Sequence, residues 1–103
     1  MTVHLLILYP NPKDPTAFDR AYRNDHLPYA GPRLKGAIGV ATKRVVGPAF
    51  APPPYHVMSD VSFPNLDALK ACATSAGGQE ALQHAASISS GGAPTVLVVT
   101  EET

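Results

Sequence analysis

Tyr22-Arg23-Asn24-Asp25-His26-Leu27-Pro28 lies at the centre of a segment, Phe18 to Arg33, that reads as one amphipathic helix. At about 100° per residue, Phe18, Tyr22, His26, Tyr29 and Arg33 fall within roughly one quarter of the helix circumference. That face is aromatic, yet it carries an imidazole and a guanidinium. Pro28 has no amide hydrogen for the Asn24 carbonyl, and its ring disfavours α geometry at Leu27, which predicts a kink or restart beside His26. Irregular backbone next to a titratable group marks a candidate site.

Before this segment, Thr2 to Tyr9 is β-branched or aliphatic apart from His4 and is closed by Pro10-Asn11-Pro12. It reads as a first strand buried on both faces. Asp14-Pro15 starts the helix, because the carboxylate can accept from free first-turn amides and proline already holds a helical φ. The helix is expected to run to about Leu34, with Asp19 and Arg23 four residues apart as an exposed ion pair. Gly36 is a C-cap candidate.

Ala37 to Val46 reads as a second strand in which Gly39 and Ala41 leave space. The stretch Gly47 to Pro54, with four prolines, is a stiff loop whose Phe50 is either a lid over a site or a packed anchor. Tyr55 to Phe63 alternates, placing Tyr55, Val57, Ser59, Val61 and Phe63 on one face and His56, Met58, Asp60 and Ser62 on the other. The second face is too polar for an ordinary core. Asn65 caps a second helix with Leu66, Leu69 and Ala73 as its buried stripe, Gly77-Gly78 interrupts it, and a further turn or two leads to a loop from Ser87 to Ala93. Thr95 to Thr100 is the final strand.

The order is strand, helix, strand, strand, helix, strand. Two βαβ units joined by a hairpin give an α+β, ferredoxin-like βαββαβ sandwich with a four-stranded antiparallel sheet and both helices on one face. One domain is expected over residues 1–103, with the bare sheet face pairing on a second copy as a homodimer. The pocket belongs between sheet and helices, with His26 pointing into it.

Composition removes several functions. Eight basic and eight acidic residues cancel, and no basic run interleaves with aromatics, so nucleic acid is not an expected partner. No apolar run approaches the roughly 18 residues of a membrane span, and no basic region precedes the first apolar stretch, so a cytoplasmic protein without a membrane partner is expected. The single cysteine, Cys72, reads as a small buried hydrophobe. His4, His26, His56 and His84 show no metal-ligand spacing, and no glycine-rich phosphate cradle is present, so neither metal nor cofactor is expected.

Several of these residues also carry a family resemblance. Leu8-Tyr9-Pro10 at the strand end, Asp14 and Phe18-Asp19 at the helix start, Tyr22 with His26-Leu27-Pro28, Tyr55 with the apolar third strand, and the helix break from Ser75 to Gln79 resemble the EthD family over nearly the whole chain. The resemblance implies a dimeric α/β barrel whose pocket contains the first-helix histidine. Haem-degrading proteins of that fold take an axial histidine from the second helix, where His84 lies, but Glu80, Gln83 and Ser87 give His84 solvated surroundings.

An imidazole with an ordinary pKa near 6.5 can exchange a proton near neutrality. His26 is therefore the candidate acid/base, with Tyr22 one turn earlier orienting it or donating to a substrate oxygen. Tyr9, Phe18, Tyr29, Arg33, Phe50, Tyr55 and Ser59 are candidate substrate-binding residues, the tyrosines offering flat walls with polar tips. Such a site suits a small, flat, oxygenated or aromatic metabolite and cofactor-independent isomerase, dehydratase, decarboxylase or monooxygenase chemistry. The alternatives are a non-catalytic metabolite-binding protein or an accessory subunit of an oxygenase; in the blandest case His26 only holds the kink.

Overall fold

The structure, a computed structural model, describes residues 1–102. Strand β1 (Val3–Pro10) is central, and its alternating burial follows from having one face under helices and one face bare. Strands β2 (Gly39–Arg44), β3 (Tyr55–Phe63) and β4 (Thr95–Thr100) complete an antiparallel sheet of order β2-β3-β1-β4. This is the ferredoxin-like α+β arrangement expected from the element order. The expectation that β1 is buried on both faces is corrected, since His4, Leu6 and Leu8 stand on the bare side.

Helix α1 (Pro15–Ala21) begins as its cap chemistry dictates, with the Asp14 carboxylate accepting from the Ala17 amide at 3.1 Å. Tyr22–His26 then forms a π-helical turn, closed by the Leu27 amide donating to the Tyr22 carbonyl, before α2 (Leu27–Ala30) and a 3-10 turn over Gly31–Arg33. The predicted irregularity at His26 is thus a widened turn inside a continuous helical segment. The wider ring relieves the crowding that Pro28 imposes on the turn before it.

Helices α3 (Leu66–Thr74) and α4 (Ala76–Ile88) meet at Ser75. Its hydroxyl donates to the Cys72 carbonyl at 2.6 Å and accepts from the Gly78 amide at 3.0 Å, so one residue closes α3 and caps α4. The break was expected at Gly77-Gly78, but those glycines lie inside the first turn of α4. They permit close approach: a Cβ on Gly78 would fall inside the Cys72 carbonyl. Helix α4 is also longer than the expected turn or two, reaching Ile88. The buried stripe of α3 is Leu69 and Cys72, while Leu66 is exposed.

Register decides what faces what. Val3, Leu5, Ile7 and Tyr9 pack with Val57, Val61 and Phe63 of β3 against Phe18, Tyr22, Leu69, Cys72 and Ala85. A register shift opposite Tyr9 and Pro10 inserts His56 as a bulge. The bulge reverses the expected alternation at the start of β3. His56 turns to α1, bonding Asp19 at 2.8 Å and meeting the Phe18 ring edge-on at 5.5 Å, while the Tyr55 hydroxyl reaches Thr95. Asp19 therefore pairs with His56 and with Arg44 at 3.4 Å, not with Arg23 as the helical spacing predicts. The His56 hydrogen bond holds its carboxyl below the usual carboxylate range.

Candidate active site

A cavity of about 270 Å³ lies between the inner face of the sheet and the segment α2–α4. Its walls are apolar: Leu5 and Ile7 of β1, Val40 of β2, Val61 of β3, Leu27 and Ala30 of α2, and Ala81, Leu82 and Ala85 of α4. Three polar side chains break this lining, His26, Thr42 and Ser59. The volume sits near the lower end of the roughly 300–1,000 Å³ typical of ligand sites, which fits a single-ring molecule. Space comes from alanines on the helices and from Thr42 and Ser59. Gly39 and Ala41 pair with Ser62 and Asp60 on the bare side of the sheet, so they do not supply it.

His26 enters the cavity wall from the π-helical turn and is buried. Tyr22 lies against it, ring centroids 5.7 Å apart, and Phe18 lies against Tyr22 at 5.9 Å, so the aromatic helix face expected from the spacing does assemble. The Tyr22 hydroxyl, however, is directed at Ser59 (2.7 Å) and Thr42 (2.8 Å). These three hydroxyls hold three protons and make two mutual hydrogen bonds, so one hydroxyl proton is left for a further acceptor, the neighbouring Tyr9 oxygen or a bound ligand. The hydroxyl that reaches His26 is that of Tyr9, 3.4 Å from Nε2. Burial pushes the Tyr9 phenol well above its ordinary value, which keeps it a neutral O–H.

The other ring nitrogen of His26, Nδ1, lies 2.9 Å from Nδ1 of His84 on α4. The two ring planes differ by only 6°, with centroids 5.1 Å apart. The centroid separation exceeds the nitrogen separation by about two ring radii, so the imidazoles meet edge to edge in one plane at hydrogen-bond distance. Desolvation, and secondarily the neighbouring His84, push the His26 pKa down to about 4. At neutral pH His26 is therefore a neutral imidazole.

Of the candidate residues read from sequence, His26 and Ser59 line the cavity. Tyr9 and Tyr22 stand directly behind them, each hydrogen-bonded to one of the two. Phe18 is core. Tyr29 and Arg33 lie on the α4 side, Tyr29 against His84 at 4.5 Å with the Arg33 guanidinium 3.6 Å over its ring. Phe50 is fully exposed in its loop, neither lid nor packed anchor, and Tyr55 is turned away by the bulge. His84 was expected to be solvated and is instead half-buried on His26. Its signal was present: Ala81, His84, Ala85 and Ile88 follow the i, i+3, i+4, i+7 pattern of one inward helix face. Thr42 gave no such signal, because a threonine on an edge strand is ordinary.

Cys72 is buried and its thiol is pushed up by burial, as suits a packed small side chain. Among the described residues no three metal-ligating side chains come together. No helix among them is long and apolar enough to cross a membrane.

No model of a known protein family and no curated protein matches this sequence. Solved structures do. An EthD family protein from Bacillus halodurans superposes with a TM-score of 0.87 at 24% identity, covering 99% of this chain and 100% of that one. The chain has the fold of the EthD proteins. An EthD-like protein from Ralstonia eutropha follows the same path with a TM-score of 0.71 at 18% identity, covering 95% of this chain and 89% of its own. SnoaB, a cofactor-independent oxygenase from Streptomyces nogalater, superposes with a TM-score of 0.61 at 12% identity, over 99% of this chain and 93% of its own. In this EthD-like fold the cavity lies between sheet and helices, and His26 reaches it from the π-helical turn.

Proposed function

We propose that this protein is an EthD-like, cofactor-independent enzyme that moves a proton on a small, flat, oxygenated metabolite, with His26 as the base. The observation that carries the reading is the buried, unprotonated imidazole in the wall of an apolar cavity, opposite a hydroxyl cluster with a proton to spare. A carbonyl or phenolic oxygen is held by the Ser59–Thr42–Tyr22 hydroxyls, which stabilise the charge that develops there. His26 takes the proton from the adjacent carbon or hydroxyl, and its return to another atom completes an isomerisation, or elimination or decarboxylation follows. The apolar side chains around His26 lower the local dielectric and strengthen these interactions. SnoaB, which shares the fold, is described as a cofactor-independent oxygenase, and oxygenation of an electron-rich substrate in this cavity would begin with the same deprotonation.

The working form proposed is a homodimer joined through the bare sheet face. Solved structures of this fold include proteins from Jannaschia and Bacteroides fragilis described as dimeric. Here that face carries Leu6, Leu8, Met58, Leu97 and Val99 around one polar cluster. In the cluster Asp60 bonds His4 at 2.7 Å and Lys43 at 2.9 Å, and His4 reaches Glu101 at 3.1 Å. Because Asp60 and His4 already have partners, a second sheet can cover them without orphaning a charge.

A thermal-shift screen against small lactones, phenols, quinones and cyclic ketones tests the reading, with product followed by mass spectrometry in wild type and His26→Ala. A ligand at about a hundred times its dissociation constant adds roughly 2.7 kcal/mol of stability. The enzyme reading expects conversion by wild type and binding without conversion by the variant. A ligand held by both proteins and converted by neither makes this a metabolite carrier.

A further inference from the structure

A base buried as deeply as His26 faces a conflict. Once it accepts a proton it carries a charge in an apolar wall, which is what pushes its pKa down to about 4 and makes it a weak base when acting alone. The geometry around its second nitrogen resolves the conflict. His26 Nδ1 meets His84 Nδ1 in plane at 2.9 Å, and His84 is half-buried with a second nitrogen, Nε2, that makes no hydrogen bond to the described residues. No buried side-chain nitrogen or oxygen among the described residues lacks a partner, so His84 Nε2 is open to water.

We propose that His84 is a proton-relay residue, carrying protons between His26 and solvent across the shared Nδ1···Nδ1 hydrogen bond. The inference rests on the reading of His26 as the base. His26 begins with its proton on Nδ1 and a lone pair on Nε2, where the Tyr9 hydroxyl donates. The substrate displaces the long Tyr9 hydrogen bond from Nε2, and as His26 Nε2 takes the substrate proton the Nδ1 proton passes to His84 Nδ1. His26 ends neutral as the other tautomer, and the positive charge rests on His84, where water solvates it. Loss of the His84 Nε2 proton to water leaves both rings neutral; the reverse sequence returns a proton to the cavity. One proton enters at the cavity and one leaves at the surface, so the transfer balances.

The rings packed against the relay among the described residues are uncharged. His26 faces Tyr9 of β1 and Tyr22 of the preceding turn, and His84 faces Tyr29 of α2. Arg33 lies on the Tyr29 ring and is drawn toward Glu80 of α4 at 3.9 Å, so its charge is partnered outside the pair. His84 does not line the cavity, and its role is to position and resupply the proton of His26.

The test is side-chain nitrogen-15 NMR on the full chain with labelled histidine, reading how fast the His26 ring proton exchanges with water. Wild type is expected to show one proton shared between the two Nδ1 atoms and rapid exchange. His84→Phe keeps a flat ring but no nitrogen, and should slow the exchange by about tenfold or more. His84→Gln keeps a hydrogen-bonding group beside His26 but has no second ring nitrogen to pass the proton on, and should slow it equally. Free imidazole added to His84→Ala should restore it. A purely structural His84 predicts that the Gln variant exchanges like wild type, and wild-type exchange in either folded variant overturns the relay; if the Phe variant does not fold, the Gln variant decides. No substrate is involved, so a failed relay leaves the enzyme reading standing, and absent turnover leaves the relay measurement intact.

Discussion

His26 is the buried titratable side chain of the cavity wall, and its burial has a consequence for stability. Its pKa falls from an ordinary value near 6.5 to about 4 in the folded chain. Between these values the unfolded chain binds the proton and the folded chain does not, so stability is present above pH 6.5 and is lost as pH falls toward 4. The loss has an upper limit of about 3 kcal/mol. His4 is shifted upward, first by Glu101, so its contribution is already complete below 6.5; Asp19 and Asp60 are shifted downward and lose theirs below the ordinary carboxylate range. Urea melts of wild type should therefore weaken between pH 6.5 and 4, and those of His26→Gln should stay nearly flat. A wild-type profile as flat as the variant's would mean that His26 is solvated. The type of residue and its place beside Pro28 were legible in the sequence, because a proline inside a helical pattern forces irregular backbone. The identity of its partner was not. The paired hydroxyl and imidazole come from β1 and α4, and only tertiary packing chooses Tyr9 and His84 over Tyr22.

Elements were legible where local chemistry fixes them. Asp14 and Asn65 cap helices as expected, the four strands fall at their predicted places, and the order of elements implied the sheet. Failures arose where one residue shifts a pattern. The bulge at His56 exchanges the faces of Tyr55 and His56, and alternation in sequence carries no mark of such an insertion. The α3–α4 junction was assigned to its glycines when Ser75 makes the break and Gly78 only permits the contact. That assignment has a test. Gly78→Ala must push α4 off the Cys72 carbonyl, costing roughly 1–3 kcal/mol or more in denaturant melts. Because α4 carries His84, the same variant should also disturb the His26 ring resonances. An unchanged melt would show that the two helices separate freely.

At the scale of the whole molecule, the chain closes one face of its sheet with helices and leaves the other bare. On β4, Leu97 and Val99, beside Leu6 and His4 on the bare face, are 46% and 38% exposed, more apolar surface than an edge strand ordinarily leaves open. The proposed dimer predicts that Leu97→Glu, placed beside Leu6 on the bare face, yields a monomer in sedimentation while retaining the folded spectrum. Wild type sedimenting as a monomer would remove the sheet face from the account. The cavity itself lies on the opposite side of the sheet, within one subunit, and its chemistry can be tested directly. The decisive measurement is deuterium uptake from heavy water into a panel of small cyclic ketones, lactones and phenols, read by mass spectrometry with wild type and His26→Gln. Wild type should exchange a carbon-bound hydrogen in at least one compound that stabilises both proteins, and His26→Gln should bind that compound without exchange. Equal exchange by the two proteins, or binding with no exchange by either, would contradict a role for His26 as the base.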